Sequence, residues 1–244
     1  MIRSSAPAKI NLVFQVGESI EGYHEVNSLY LGLDIFEELT LSQAELGSGF
    51  QIDIKTEYLP ERHLKAVPRD RSNLVYKVAE TMFNNVGLDM PDLLVSIDKR
   101  IPVAGGLAGG SADAAAMMLA VNELLHRNYG IIKLTKNELV TLAKEFGSDV
   151  PFSLIGGLAI GSGRGEKLTA LSPLAFDCFF VLLISPTGLA TPTVFARFDE
   201  FGMKTRFKDL NASINSVEEL AAFMENDLQQ AAISLQPNIA ASVS

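Results

Sequence analysis

Three short stretches carry residue types suited to moving a phosphoryl group. Residues 102–116 read PVAGGLAGGSADAAA, four glycines and a serine running into an alanine-rich stretch that favours a helix. Glycine lets another molecule approach the backbone closely. A helix start offers unpaired N–H groups and a partial positive charge. Together these suit a phosphate. Ser111 reads as the N-cap of a helix reaching about His126, and its hydroxyl could touch a phosphate. Asp113 would oppose a phosphate, so it is expected to point aside. The Lys-[Ser/Thr] ending of a P-loop is missing, as is the spaced G-x-G-x-x-G of dinucleotide folds. Taken alone, the cluster also fits a tight strand-to-helix turn.

The second stretch is PAKINL, residues 7–12. Lys9 and Asn11 share one face of a strand, roughly 7 Å apart by strand geometry. The other face is apolar. A solvated face is one reading; a lysine neutralising charge on a phosphoryl group is the other. The third is GSDVP, residues 147–151. Asp149 could be an ordinary turn or cap residue, or a carboxylate that takes the proton of an attacking hydroxyl.

The elements that must place these residues follow from periodicity. AKINLVFQV (8–16) alternates, with Ile10, Leu12, Phe14 and Val16 facing one way and Lys9, Asn11 and Gln15 the other, which predicts a strand. Residues 30–42, 50–55 and 93–99 read as further strands, the last leading into the glycine loop. Residues 72–86 carry an apolar stripe of Leu74, Val75, Val78, Met82 and Val86, which predicts a helix ended by Gly87. Thr135 and Glu138 predict a capping box for a helix ending near Gly147. GLAIG (157–161) and CFFVLLI (178–184) read as strands, and 216–226 as a helix capped by Ser216. The fold class is α+β. The chain divides near Gly156–Gly157 into residues 1–155 and 156–244.

The chain has 244 residues, 48% hydrophobic and 20% charged, enough for a sizeable core. A net charge of −9 and a pI near 4.9 argue against broad nucleic-acid or anionic-membrane binding. They leave room for an anion in a local positive pocket. The longest apolar run is too short to span a bilayer. The N-terminus lacks a signal-peptide layout, so the cytoplasm is expected. The single cysteine, Cys178, has no internal disulfide partner and reads as core filling. His24, His63 and His126 lack metal-ligand spacing, so no structural metal site is expected.

The order of the stretches, lysine strand, glycine loop, aspartate turn, carries a family resemblance. PAKINLVFQV, EGYHEVNSLY, SNLVYKVA, IDKRIPVAGGLAGGSADAAA and GSDVPFSLIGGLAIGSGRGE together resemble the GHMP kinase superfamily, from about residue 6 to residue 235. The Gly-Tyr-His element points to the branch whose acceptor carries a cytidyl group; homoserine, mevalonate and galactose kinases lack it there. The resemblance implies two domains, the first like ribosomal protein S5 domain 2. It implies transfer of the ATP γ-phosphoryl to the 2-hydroxyl of a cytidine-diphosphate-linked methylerythritol, in the non-mevalonate route to isoprenoid precursors. ATP and Mg²⁺ are the implied cofactors, the magnesium held mostly by phosphates and water. The implied partner is a small molecule, with no nucleic acid or membrane, the protein being a monomer or weak homodimer.

By the same resemblance Asp149 is the catalytic base and Lys9 its charge partner. The backbone of Pro102, Val103, Ala104, Gly105, Gly106, Leu107, Ala108, Gly109, Gly110, Ser111 and Ala112 wraps the ATP phosphates, with Asn73 and Lys99 near the adenine. Tyr23 and His24 recognise cytosine by stacking and hydrogen bonding, Phe195 closes on its other face, and Asn11 and Thr191 add substrate contacts. Two features depart from the pattern. Ala104 and Ala108 replace loop glycines; alanine is comfortable only at negative φ, so the loop can still bind if these two are not the positions that need a positive one. A further glycine-rich segment is expected after DLQQAAISLQPNIAASVS, so the C-terminal domain reads as incomplete, with an open sheet edge. The other readings are an inactive nucleotide-binding homologue, or a homoserine- or mevalonate-type kinase.

Overall fold

The computed structural model describes residues 1–20, 22–185, 187–202, 206–211 and 213–243. The chain begins with two long strands, β1 (Ile2–Ile20) and β2 (Tyr23–Gln43), and Gly22 between them has φ 82°. The chain forms two units. One contains residues 1–9 and 32–156, the other residues 10–31 and 157–244. Each long strand supplies a part to both, which a division at a single chain position does not capture.

In the first unit the strand order is β3–β4–β2–β1. β3 (Phe50–Lys55) runs parallel to β4 (Leu93–Asp98), from Phe50–Leu93 to Lys55–Asp98. β4 runs antiparallel to β2, from Glu38–Asp98 to Gln43–Leu93. The period of two puts Leu39, Leu41, Ile52, Ile54, Leu93, Val95 and Ile97 inside. The short α1 (Glu61–Lys65) and α2 (Leu74–Asn85) connect β3 to β4. α2 buries Val75, Val78, Ala79, Met82 and Phe83, near the stripe expected from its 3.6-residue period. Gly87, at φ 70°, follows its end.

α3 (Gly109–Tyr129) is the central helix of this unit. Its alanines and methionines from Ala114 to Met118 are fully buried, and the Ser4 hydroxyl on β1 donates to the Ala116 carbonyl (2.8 Å). Small side chains let the helix lie close to its neighbours. The helix runs a turn beyond His126 because the αL residue that ends it is Gly130. α4 (Lys136–Ala143) starts with the expected Thr135–Glu138 capping box, and α5 (Val150–Ile155) follows with Pro151 in its first turn.

In the second unit β2 pairs antiparallel with β5 (Leu158–Ser162), and β5 with β6 (Lys167–Ala170). α6 (Thr191–Glu200) and α7 (Val217–Phe223) follow, then β7 (Glu225–Asn226), which pairs parallel with β1. α8 (Gln229–Leu235), a 3₁₀ turn (Pro237–Ile239) and α9 (Ala240–Val243) complete it. Ser216 caps α7, accepting from the Glu219 N–H. The core includes Leu12, Val13, Leu29, Leu158, Leu210 and Leu220.

The segment CFFVLLI corrects the sequence reading. It is not a strand, because among the described residues nothing forms a ladder with it. It keeps strand-like alternation nonetheless. Phe176, Cys178 and Phe180 pack on the core, while Phe179 (99%) and Val181 (88%) are exposed. Apolar alternation records which side chains face in; a strand also needs a partner backbone.

Candidate active site

Lys9 and Asp149 both belong to the first unit and meet there. Lys9 Nζ lies 3.3 Å from Asp149 Oδ2. Asp149 sits at the N-cap position of α5, yet its side chain caps nothing, which leaves the carboxylate to the lysine. The lysine ammonium is nearly enclosed, and the aspartate is partly open. The solvated-face reading of Lys9 therefore fails. The Lys9 N–H donates to the Leu107 carbonyl (3.2 Å), so one residue touches both the carboxylate and the glycine loop.

The loop is built differently from expectation. Ala104 (φ 57°) and Ala108 (φ 60°) both take left-handed conformations, so the two alanines stand where a positive φ is needed. The turn from β4 into α3 demands that geometry whichever side chain stands there. For an L-residue it costs about 1–2 kcal/mol, and strain of this kind persists where surrounding structure overdetermines it. The N-cap of α3 is Ala108, without a side-chain cap. Ser111 is inside the first turn, a correction to its reading as the cap, because the αL residue turns the chain into the helix three residues earlier. The first helical bond runs from the Ala112 N–H to the Ala108 carbonyl (2.9 Å). The N–H groups of residues 109–111 precede it and have no acceptor within the helix. Gly105, Gly106 and Gly110 are exposed, and a Cβ at Gly106 or Gly110 would meet open space. A run of N–H groups without a helical acceptor, beside exposed glycine backbone, fits a polyphosphate.

Asn73 and Lys99 have work inside the protein. Asn73 caps α2: its Oδ1 accepts from Val75 (3.0 Å), and its Nδ2 donates to the Pro68 carbonyl (2.6 Å). Lys99 is buried and pairs with Glu37 (2.7 Å) and Asp113 (2.8 Å). Asp113 thus turns inward, away from the loop, as expected. Burial alone would lower the Lys99 pKa, but the two carboxylates raise it overall. Burial raises Asp113, and burial with the neighbouring Asp113 pushes Glu37 up to about 7.

Two residues absent from the sequence reading of the site also reach this loop. His63 of α1 accepts the Val103 N–H at its Nδ1 (3.1 Å), which requires that nitrogen to carry no proton. Glu37 accepts from the N–H groups of Arg100 (3.1 Å) and Ile101 (3.2 Å). A signal for Glu37 was present: it is in phase with the buried Leu39 and Leu41. One step beyond the Glu38–Asp98 pair, the register sets it opposite Lys99.

The residues expected to hold the acceptor lie in the second unit. Asn11 Nδ2 donates to Ser28 Oγ (2.7 Å). His24 and Phe195 are brought together, their rings stacked at 5.4 Å and 21°. Both His24 ring nitrogens have partners: Nδ1 meets the Gly17 carbonyl (2.9 Å) and Nε2 meets Asp199 Oδ1 (2.9 Å). Phe195 and Asp199 are four residues apart on α6, so one helix face supplies both contacts. Tyr23 is exposed, with the Arg164 guanidinium 4.6 Å from its ring centre in a cation–π arrangement. Thr191 is exposed at the start of α6.

The family model of the GHMP kinases N terminal domain matches residues 73–157, from the cap of α2 past Asp149. A 4-diphosphocytidyl-2-C-methyl-D-erythritol kinase of Nocardia farcinica (strain IFM 10152) is 41% identical, the match covering 96% of this chain and 74% of that protein. The chain belongs to the 4-diphosphocytidyl-2-C-methyl-D-erythritol kinase family. Another member, from Rhodococcus jostii (strain RHA1), is 40% identical over 96% of this chain and 73% of its own. A crystal structure of a 4-(cytidine 5'-diphospho)-2C-methyl-D-erythritol kinase superimposes with a TM-score of 0.66 and 29% identity, covering 97% of this chain and 79% of that one. A mevalonate diphosphate decarboxylase from Legionella pneumophila (TM-score 0.59, 14% identity) shares the fold. The resemblance read from the motifs thus holds. These kinases extend beyond the part that this chain matches. Among the described residues, no helix is long and apolar enough to cross a membrane.

Proposed function

We propose that this protein phosphorylates the 2-hydroxyl of 4-diphosphocytidyl-2-C-methyl-D-erythritol with ATP, a step of the non-mevalonate isoprenoid pathway. The names of its relatives supply the substrate class. The observation that carries the chemistry is the Lys9–Asp149 pair (3.3 Å), with Lys9 also bonded to the glycine loop. The N–H groups of residues 109–111 and the backbone of 102–108 hold the ATP phosphates. Magnesium, arriving with the nucleotide, offsets part of their charge. Asp149 accepts the proton of the acceptor hydroxyl as that oxygen attacks the γ-phosphorus, and the bond from that phosphorus to the bridging oxygen breaks to release ADP. Lys9 orients the carboxylate and stabilises negative charge gathering between acceptor and phosphate.

Recognition of the acceptor is assigned to the second unit. Exposed Tyr23 offers a ring face for stacking with cytosine. Asn11, Thr191 and Phe195 complete that set. A cytosine edge reaches His24 Nε2 only by displacing Asp199, so His24 contributes to this site through an exchange of partners.

Asp149→Asn tests the assignment. With ATP, Mg²⁺ and the cytidyl acceptor, kcat should fall by about 10³-fold or more, as for removal of a group acting in the transition state. ATP affinity should change little. An unchanged kcat removes Asp149 from the role of base. Failure of the unsubstituted protein to form ADP with this acceptor, while mevalonate or homoserine supports turnover, would reassign the substrate. ATP binding with turnover on no acceptor would favour the inactive-homologue reading.

A further inference from the structure

Two carboxylates and one ammonium are enclosed beneath the glycine loop. Glu37 on β2 and Asp113 on α3 both pair with Lys99, at 2.7 and 2.8 Å, and all three side chains are almost wholly buried. Fully ionised, the group carries one uncompensated negative charge. The Arg100 guanidinium does not cancel it, because it turns out to Glu38 and Asp98. Asp113 Oδ1 is buried without a hydrogen-bond partner. An isolated buried charge is costly, and a bound proton relieves that cost.

The cluster holds the loop at both ends. Before it, Glu37 receives the N–H groups of Arg100 and Ile101. After it, Asp113 lies in the first turns of α3. A Cβ on Gly109, at the helix start, would lie 3.4 Å from Glu37 Oε1. A ligand on the N–H groups of residues 109–111, which have no helical acceptor, is therefore separated from this charge by little more than one layer of backbone.

We propose that Glu37 is a positioning residue for the nucleotide loop, and that the Glu37–Lys99–Asp113 cluster takes up a proton when ATP binds there. This rests on the reading that the loop holds ATP. Phosphate charge brought to the loop repels the buried negative charge. The protonated cluster is then favoured, and affinity and protonation become linked. The proton comes from solvent and binds a carboxylate oxygen of the Glu37–Asp113 pair. Among the described residues, the groups facing Glu37 are Lys99 from the end of β4, Asp113 from α3 and the backbone N–H donors of Arg100 and Ile101. Its position near 7 in the free protein supports an exchange in the neutral range.

Calorimetric titration of the full chain with a non-hydrolysable Mg²⁺–ATP analogue at pH 7, in two buffers of different ionisation enthalpy, tests this. The binding heat should depend on the buffer, with uptake of roughly 0.4 proton per nucleotide, as for a group titrating near 7 and raised by about one unit. Glu37→Gln should lose that uptake; the lost acceptor for one of the Arg100 and Ile101 N–H groups should weaken nucleotide binding by up to about 10-fold, one hydrogen bond's worth, and removal of the repelling charge offsets part of that. Asp113→Asn should lose the uptake too, because Lys99 then neutralises Glu37. Binding without buffer dependence, proton release, or an unchanged proton count in Glu37→Gln would overturn the inference and leave the nucleotide reading intact. No binding at all would overturn both.

Discussion

The Lys9–Asp149 pair shows how a residue is placed by what it is not used for. Asp149 stands where an N-cap would stand, but its carboxylate is withdrawn from capping and directed to the Lys9 ammonium. Ala104 and Ala108 show the opposite relation, with backbone geometry imposed against side-chain preference. Ala108→Gly should raise stability by up to about 1 kcal/mol, the αL cost less the entropic cost of glycine. Chemical denaturation measures this. A loss of stability would mean that the Ala108 methyl contributes packing that outweighs its strain. Each of these side chains was visible in the sequence as a candidate. The sign of the loop's φ angles was not, because it depends on where β4 must release the chain to α3.

At the scale of elements, local chemistry set several boundaries. The capping box at Thr135 and the Ser216 cap formed as their spacing required. Thr135→Ala should cost about 1 kcal/mol, read as a lower denaturation midpoint with an unchanged slope. Equal midpoints would show that α4 is held by its packing alone. The apolar run at 178–184 was misread because hydrophobic alternation reports burial and says nothing of a partner strand. The length of β1 and β2 was also underread. The unread ends carry polar residues such as Ser4, His24 and Asn27, whose partners are distant in sequence: the Ala116 carbonyl, Asp199 and the Lys208 carbonyl.

At the scale of the whole molecule, the buried cluster predicts a pH dependence of stability. Glu37 is held at about 7 when folded, above an unfolded carboxylate. Between the two values the folded chain binds more protons than the unfolded one, so this group's contribution falls as pH rises. It is fully present below the unfolded pKa, declines from about pH 4.5 to 7, and is flat above. The difference in Tm between the native protein and Glu37→Gln should follow that course in thermal scans; a flat difference would contradict it. Asp70, Glu123, Glu138 and Glu218 are lowered by their hydrogen bonds, and oppose this by contributing stability that is lost as pH falls.

The sequence by itself determined the parts that depend on neighbours along the chain: the helix stripes, the Thr135 and Ser216 caps, the strand phases and the glycine loop running into a helix. It also determined the family, through the order of motifs each readable within about twenty residues. Tertiary structure decided which of two plausible partners each polar residue took. Lys9 went to Asp149, while Lys99 went inward to Glu37 and Asp113. The physical reason is that a buried charge is set by what surrounds it in space. Glu37, Lys99 and Asp113 come from β2, the end of β4 and α3. Only the register of one strand pair and the packing of one helix make them a single site.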